Sequence, residues 1–520
     1  MNVRYLSIFL VWLSLVSVAT VNAQTDANTC ERLGSLSFAK GAVTTAQVVA
    51  AGKFSQPEGR TSPLAHDLPA FCRVAATLKP TKDSDIKMEI WLPIDNWNGR
   101  LQSVGNGGLA GSISYAAMMA ALASGYATAS TDTGHTGTMS TASWALGHPE
   151  KIIDYGHRAV HEMTVAAKVV VKNYYGRAQH HAYWNGCSEG GAQALSEVQR
   201  YPNDYDGIIA GAPANYIVHL QTNGAWIANA IYKDPATFIS PKKLPAINQA
   251  VLEACDDIDG VKDGLLEDPR VCAFDVSRLK CNGAETDKCL TVPQITGIKK
   301  IYSGAKNPHT GETLFPGHAL GSELEWNNWI VSAGRDANGE PTHLQHLIQN
   351  DFFKYIAFGN PKWDWRTLDF DTDIAKVDKA LGKQLNHIDP DLNAFKAHGG
   401  KLLQYHGWYD PAISPINSIN YFESVQRTIK DTGDFYRLFM IPGMAHCGGG
   451  PGASDFDKMN IIVKWVEEGK APASIVASRS NGDKVMRTHR LCPYPQTARY
   501  NDSGNTNDAA NFSCVDRNAR

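Results

Sequence analysis

The stretch "HAYWNGCSEGGAQALSEV", residues 181–198, changes its pattern in the middle. An apolar and aromatic run, Ala182 to Trp184, reads as a buried strand, and the segment from Gly191 to Val198 is compatible with a helix. Between them Gly186-Cys187-Ser188-Glu189-Gly190 has the spacing G-x-S-x-G. Strand, tight turn and helix in that order are the setting in which such a serine sits on a strained turn above a sheet. The glycines are needed because neighbouring chain passes close to the turn, where a Cβ would clash. Two candidate nucleophiles, Cys187 and Ser188, stand side by side in this turn.

Outward from the turn, strand-like and helical segments alternate from about residue 85 to 215. "KMEIWLP", "LQSVGNGG", "YATASTDTG" and "YDGIIAGAP" carry the strands, while "RAVHEMTVAAKVVVKNYYG" repeats apolar residues every three or four positions until Gly176 stops it. This alternation predicts a parallel or mostly parallel sheet with helices on both faces. From 216 to 395 the pattern breaks into Trp-, Asn- and Pro-rich helical pieces and two short cysteine loops. Strands return in "GGKLLQYHGWYDP" and "FYRLFMIPGMAHC", followed by the helical "DKMNIIVKWVEEG". The expectation is an α/β-hydrolase fold formed by residues 24–215 and 396–520, with 216–395 inserted as a lid before the strand that leads to Asp410.

Arg4, the apolar run Leu6 to Val18 and the small residues Val21-Asn22-Ala23 predict a signal peptide over 1–23, removed before Gln24. The run is too short to span a bilayer, and no later stretch approaches the ~20 apolar residues of a membrane helix. The protein is therefore expected to be secreted or periplasmic without a membrane anchor. A net charge of −3 over 520 residues gives no basis for a nucleic-acid partner. Ten cysteines, all beyond residue 23, favour five disulfides in an exported chain. Local spacing suggests Cys30–Cys72, Cys255–Cys272, Cys281–Cys289 and Cys492–Cys514, which leaves Cys187 and Cys447. The absence of any CxxC pair argues against a zinc site.

A serine nucleophile needs a base, and the base a carboxylate, in the order Ser, Asp or Glu, His along a hydrolase chain. Asp410 after "KLLQYHG" and His446 after "RLFMIPG" occupy those places. A Cys187–Cys447 bond would hold the residue before Ser188 close to the residue after His446; the competing reading makes Cys187 a thiolate nucleophile. An oxyanion needs two donors: the N–H of Glu189, and one from the loop "VGNGGLAG" at Gly107 or Gly108. The turn "CDDIDGVKDGLLEDP" concentrates Asp256, Asp259 and Asp263, which with the carbonyls of Val261 and Leu265 can encircle one structural Ca²⁺; otherwise it is a solvated acidic turn.

"GCSEGG", "HGWYDP" and "PGMAHC" together resemble the tannase and feruloyl esterase family of secreted α/β-hydrolases, and the likeness runs from "WNGRLQSVGNGG" to "RLCPYPQTARY". The resemblance implies a triad of Ser188, Asp410 and His446, a disulfide between Cys187 and Cys447, and oxyanion donors at Gly108 and Glu189. It also implies calcium held in the lid by Asp256, Asp259, Val261, Asp263 and Leu265. Family members cleave feruloyl, galloyl or chlorogenate esters, or the terephthalate monoester. The terephthalate enzyme has an aromatic residue shortly after its aspartate, where this chain has Ile413. The expected activity is feruloyl ester hydrolysis, with tannase or chlorogenate esterase as alternatives and an inactive phenolic- or polysaccharide-binding protein as the reading of a different class. Lid aromatics are expected to hold the acyl ring, one or two of Trp326, Trp329, Phe352, Phe353, Trp363 and Trp365, with His406 and Ile413 as further pocket candidates.

Overall fold

The computed structural model describes residues 28–57, 63–109 and 111–517. The expected signal peptide lies outside them. The first eight strands are β1 (Ser37–Phe38), β2 (Gly41–Val49), β3 (Phe71–Leu78), β4 (Ile86–Pro93), β5 (Arg100–Val104), β6 (Ala127–Thr131), β7 (His181–Cys187) and β8 (Gly207–Gly211). A short pair, β9 (Ala305–Lys306) and β10 (Thr313–Phe315), stands apart; β11 (Lys401–Gly407) and β12 (Tyr436–Ile441) rejoin the main sheet.

That sheet has ten strands in the order β1-β2-β3-β4-β6-β5-β7-β8-β11-β12. From β6 to β12 every pairing is parallel. All of β8 is buried, as expected for a strand covered on both faces. The other edge differs from the sequence expectation, because β1 to β4 and the β4–β6 junction are antiparallel. The alternation that marks a strand is blurred in β2, most of whose residues face solvent at the sheet's margin, so the expected sheet began too late along the chain. The Cys30–Cys72 disulfide fastens this edge.

Because β8 pairs directly with β11, the chain between Gly211 and Lys401 leaves the sheet and returns to the adjacent slot. It folds mainly as helices, among them Ile217–Ile231, Leu244–Cys255, Val292–Ser303 and Leu344–Asp351. Ile227, Ile231, Ile247, Ile298, Trp326 and Trp365 give it an apolar cluster of its own. After β12 come the helix Lys458–Glu468 and two hairpins, β13 (Ile475–Asn481) with β14 (Lys484–Leu491), and β15 (Gln496–Tyr500) with β16 (Phe512–Asp516). No helix among the described residues is long and apolar enough to cross a membrane.

The helix Glu189–Arg200 sits against β7 and β8 so closely that only glycine fits at the contact. A Cβ on Gly191 would lie 2.3 Å from the Gly211 carbonyl oxygen and 2.9 Å from Pro213 Cα. Gly191→Ala should therefore lower unfolding stability by more than ~2 kcal/mol in urea titration, the range of overpacked core sites. Gly433→Ala, where nothing lies within 4 Å of an added Cβ, is the control expected to stay near neutral.

Candidate active site

Ser188 stands between the strand β7 and the helix Glu189–Arg200 with φ 64° and ψ −119°, a conformation L-residues avoid. Its surroundings hold it there. The Ser188 N–H donates to Gly211 O at 3.0 Å, and its carbonyl accepts from the N–H groups of Gly191, Ala192 and Ala214, each at 3.0 Å. Gly186 permits the turn, since a Cβ there would meet Gly190 O at 2.3 Å. Backbone strain kept by so many contacts is a frequent mark of a functional residue.

Asp410 follows β11 and is fully buried. Its Oδ1 accepts from the N–H groups of Ala412 at 2.7 Å and Ile413 at 2.9 Å. Its Oδ2 receives His446 Nδ1 at 2.8 Å and His406 Nε2 at 3.1 Å. Burial alone would raise the carboxyl pKa; the charge of His446 and the hydrogen bonds of both histidines outweigh it and hold Asp410 well below the ordinary carboxylate range. With Nδ1 donating to Asp410, His446 keeps Nε2 as its proton-accepting atom. Ser188 and His446 line one narrow cleft together with Gly108, Glu189, Trp329 and Ile413.

The disulfide Cys187–Cys447 joins the residue before Ser188 to the residue after His446, with the Cα atoms 5.9 Å apart. Cys187 is thus a tether, and there is no free cysteine among the described residues to act as a thiolate. The other four pairs are those the spacing suggested, Cys30–Cys72, Cys255–Cys272, Cys281–Cys289 and Cys492–Cys514.

Gly108 and Glu189 both line the cleft, whereas Gly107 does not. Among the described residues neither N–H has a protein acceptor, so both are available to a ligand oxygen. Gly108 adopts φ 60°, where a Cβ would lie 2.5 Å from Met139 O. Tyr155 donates to the Gly108 carbonyl at 3.1 Å, and Asn106 O accepts from Gly190 N at 2.9 Å, which ties this loop to the helix behind Ser188. The Glu189 side chain is buried, and burial pushes its carboxyl up to about 8.

Trp329 and Ile413 line the cleft, and the Trp329 ring meets His446 edge-on with centroids 5.2 Å apart. His406 does not line it. It lies beneath the Asp410 loop, with Nε2 also 3.1 Å from Ile413 O and Nδ1 2.7 Å from Ser418 Oγ, because the turn after β11 folds back over the strand end. Trp326, Phe352, Phe353, Trp363 and Trp365 do not line the cleft and pack in apolar clusters behind its walls, where Leu109, Ile217 and Ile348 join them. Gln221 and Gln345, which the sequence reading missed, do reach it. No local signal marks them, since the helices that carry them, Ile217–Ile231 and Leu344–Asp351, hold several other polar residues.

The acidic turn lies elsewhere, yet it touches the site's supports. Asp259, Val261, Asp263, Leu265 and Glu267 line a small cavity; Asp256 does not, and instead caps Gly264 N at 2.9 Å. Burial first, then the carboxylates of Glu267 and Asp263, push Asp259 up to about 7. Arg487 neutralises only Asp263, at 3.0 Å. Leu266 N donates to the hydroxyl of Tyr409 at 3.1 Å, next to Asp410, and Leu265 packs where a Cβ on Gly443 would sit, before His446.

The model of the family "Tannase and feruloyl esterase" matches residues 72–515. An uncharacterized esterase of Xanthomonas campestris pv. campestris is 38% identical, with 94% of this chain and 91% of that protein covered. A probable feruloyl esterase B-1 of Aspergillus flavus is 34% identical over 85% of this chain and 86% of its own length. Among solved structures, feruloyl esterase B from Aspergillus oryzae superposes with a TM-score of 0.86 at 32% identity, covering 94% of this chain and 100% of its own. Tannin acyl hydrolase from Aspergillus niger shares the fold, with a TM-score of 0.76 at 22% identity and 94% of each chain covered.

The tether makes a quantitative expectation. Replacing Cys187 and Cys447 together by alanine opens a loop of 260 residues, for which disulfide loss costs on the order of 5 kcal/mol. Urea titration should show that loss, and kcat for a simple aryl ester should fall at least tenfold as the His446 turn loosens.

Proposed function

This chain belongs to the tannase and feruloyl esterase family of carboxylic ester hydrolases, and from that premise we propose an exported serine esterase that releases hydroxycinnamic acids such as ferulate. Ser188 Oγ attacks the ester carbonyl while His446 Nε2 takes its proton, and Asp410 stabilises the imidazolium through Nδ1. The N–H groups of Gly108 and Glu189 receive the oxyanion. His446 then protonates the leaving alcohol, and a water activated by the same imidazole hydrolyses the acyl-Ser188. The observation that carries this reading is the convergence of strained Ser188 and the Asp410-bound His446 on one cleft, with the Cys187–Cys447 tether behind them.

The lining of the cleft favours a feruloyl over a galloyl group. Leu109, Ile217, Leu220, Ile348 and Ile413 are apolar, and the amides of Gln221 and Gln345 are the main polar contribution beyond the catalytic machinery. The Gln345 Oε1 is buried without a protein partner, ready to accept from one phenolic hydroxyl. Three adjacent galloyl hydroxyls would leave donors unmet on those aliphatic walls. Among the described residues no Arg or Lys lines the cleft to meet a second carboxylate, and Ile413 adds another apolar contact, which disfavours a terephthalate monoester. Caffeoyl esters such as chlorogenate remain the second reading, since they share the cinnamoyl frame. The segment 216–395 serves as the lid that supplies Trp329, Gln221 and Gln345. Five disulfides suit an oxidising compartment outside the cytoplasm.

The purified protein should hydrolyse methyl ferulate with a higher kcat/KM than methyl gallate, and Ser188→Ala should lose at least ~10⁴-fold in kcat with its fold retained. Equal rates for the variant and the parent would refute the mechanism and leave a binding protein. A gallate preference would reverse the substrate assignment.

Calcium at the acidic turn is part of the same proposal. The three carboxylates of Asp259, Asp263 and Glu267 that meet in the small cavity, of which Arg487 pairs with Asp263 and His489 with Glu267 while Asp259 has no cation among the described residues, suit a hard divalent cation held by Asp259, Asp263 and the carbonyls of Val261 and Leu265, with Asp256 bound to Gly264 N beside them. Such an ion would brace the turn against Tyr409 and Gly443 and take no part in the chemistry. Chelation should lower Tm by several degrees, restored by added Ca²⁺, because the ion binds only the folded chain. An unchanged Tm would mean that the turn holds no ion.

A further inference from the structure

A second group of ligating side chains lies along the helix that starts after Ser188. Glu197 is nine residues further on, about 13 Å at the rise of an α-helix. A nitrogen of His161 and carboxylate oxygens of Glu197 and Asp204 all lie within 4.8 Å of one another. They come from three elements: His161 from the helix Ala159–Tyr175, Glu197 from Glu189–Arg200, and Asp204 from the turn that leads to β8.

Glu197 is the informative member. Its side chain is fully buried, no N–H or hydroxyl donor among the described residues reaches either carboxylate oxygen, and the polar group against it is another acid, the carboxyl of Asp204. A buried carboxylate without donors is costly, and such groups occur where something satisfies them. The other two side chains are already oriented. His161 Nδ1 is 2.7 Å from Asp204 Oδ2, and its ring stacks on Tyr201 with centroids 3.8 Å apart. Lys168 is engaged by Asp204, with Nζ 2.5 Å from its carbonyl and 3.8 Å from its Oδ1, and forms no ion pair with Glu197. The side chains of His161 and Asp204 are 29% and 12% exposed, so the cluster opens to solvent at one side.

We propose that His161, Glu197 and Asp204 bind one divalent transition-metal ion of the Zn²⁺ class. One imidazole nitrogen and two carboxylates are a donor set for such an ion, with water completing a tetrahedron. Ligands 2.0–2.1 Å from a tetrahedral ion stand roughly 3.3 Å apart, so modest side-chain rotation closes the present spacing. The ion would displace the proton shared by His161 and Asp204 and would supply the missing partner of Glu197. Its effect is structural: it fastens the helix that carries Ser188 at its N-terminus to the neighbouring helix and to the turn before β8.

The test uses the full-length protein dialysed against chelator and then supplied with a saturating excess of Ca²⁺, which fills the acidic turn. Zn²⁺ titration by calorimetry should show one equivalent bound, with a rise in Tm. Glu197→Gln, which keeps the shape and removes the charge, and His161→Gln should each weaken binding at least tenfold, with esterase turnover retained. Asp259→Asn should leave Zn²⁺ binding unchanged. Anomalous diffraction at the zinc edge from the soaked wild-type protein should place the ion between the three side chains, and this decides the matter even where a variant fails to fold. Absence of Zn²⁺ binding, binding indifferent to both Gln variants, or an anomalous peak elsewhere would overturn the proposal and leave Glu197 a protonated acid beside Asp204.

Discussion

The Cys187–Cys447 bond is the constraint on which the site turns. It joins positions 260 residues apart, and both turns it connects are strained, with Ser188 at φ 64° and Cys447 at φ 65°. Each such residue costs on the order of 1–3 kcal/mol and persists only where its surroundings over-determine it. For Ser188 those surroundings are the carbonyl of Gly211 and the close approach of Gly105 and Gly190; for the His446 turn they are Gly407 and Gly443, where an added Cβ would meet Met444 O or Leu265. The covalent link makes the two turns one unit. The proposed calcium turn then reads as an outer support of that unit, because it presses on Tyr409 and Gly443 and not on the cleft itself.

What was legible in the sequence was what local chemistry decides. G-x-S-x-G needs its glycines for a steric reason visible in the residues themselves, and Asp410 and His446 stand where consecutive strands end. The parallel half of the sheet was legible because its strands are near-continuous apolar runs. The antiparallel edge was not, since β2 exposes most of its residues and pairs with β3 across a connection of more than twenty residues. The lid aromatics show the same limit from the other side. Six large rings invite assignment to a pocket, yet most find partners in the insertion's own core, and only tertiary packing selects Trp329. His406 was misplaced because a strand end fixes position along the chain, whereas the fold-back of residues 410–418 decides which side of the carboxylate the ring occupies.

Two buried carboxyls within this site are held in opposite states, and the contrast follows from their partners. Asp410 takes two backbone N–H groups and two imidazoles, enough to keep it ionised despite complete burial. Glu189 has no cation, only a tyrosine nearby, and burial pushes its carboxyl to about 8, so it is mostly neutral at pH 7. In the proposed mechanism each state is the useful one. Negative charge at Asp410 stabilises the imidazolium that forms on His446. Negative charge at Glu189 would stand beside the developing oxyanion that its own N–H receives and would oppose it through a low-dielectric interior. A residue whose main chain binds an anion and whose side chain is an acid is best served where the acid keeps its proton, and burial provides that condition at Glu189, outweighing the opposing hydrogen bond of Tyr155.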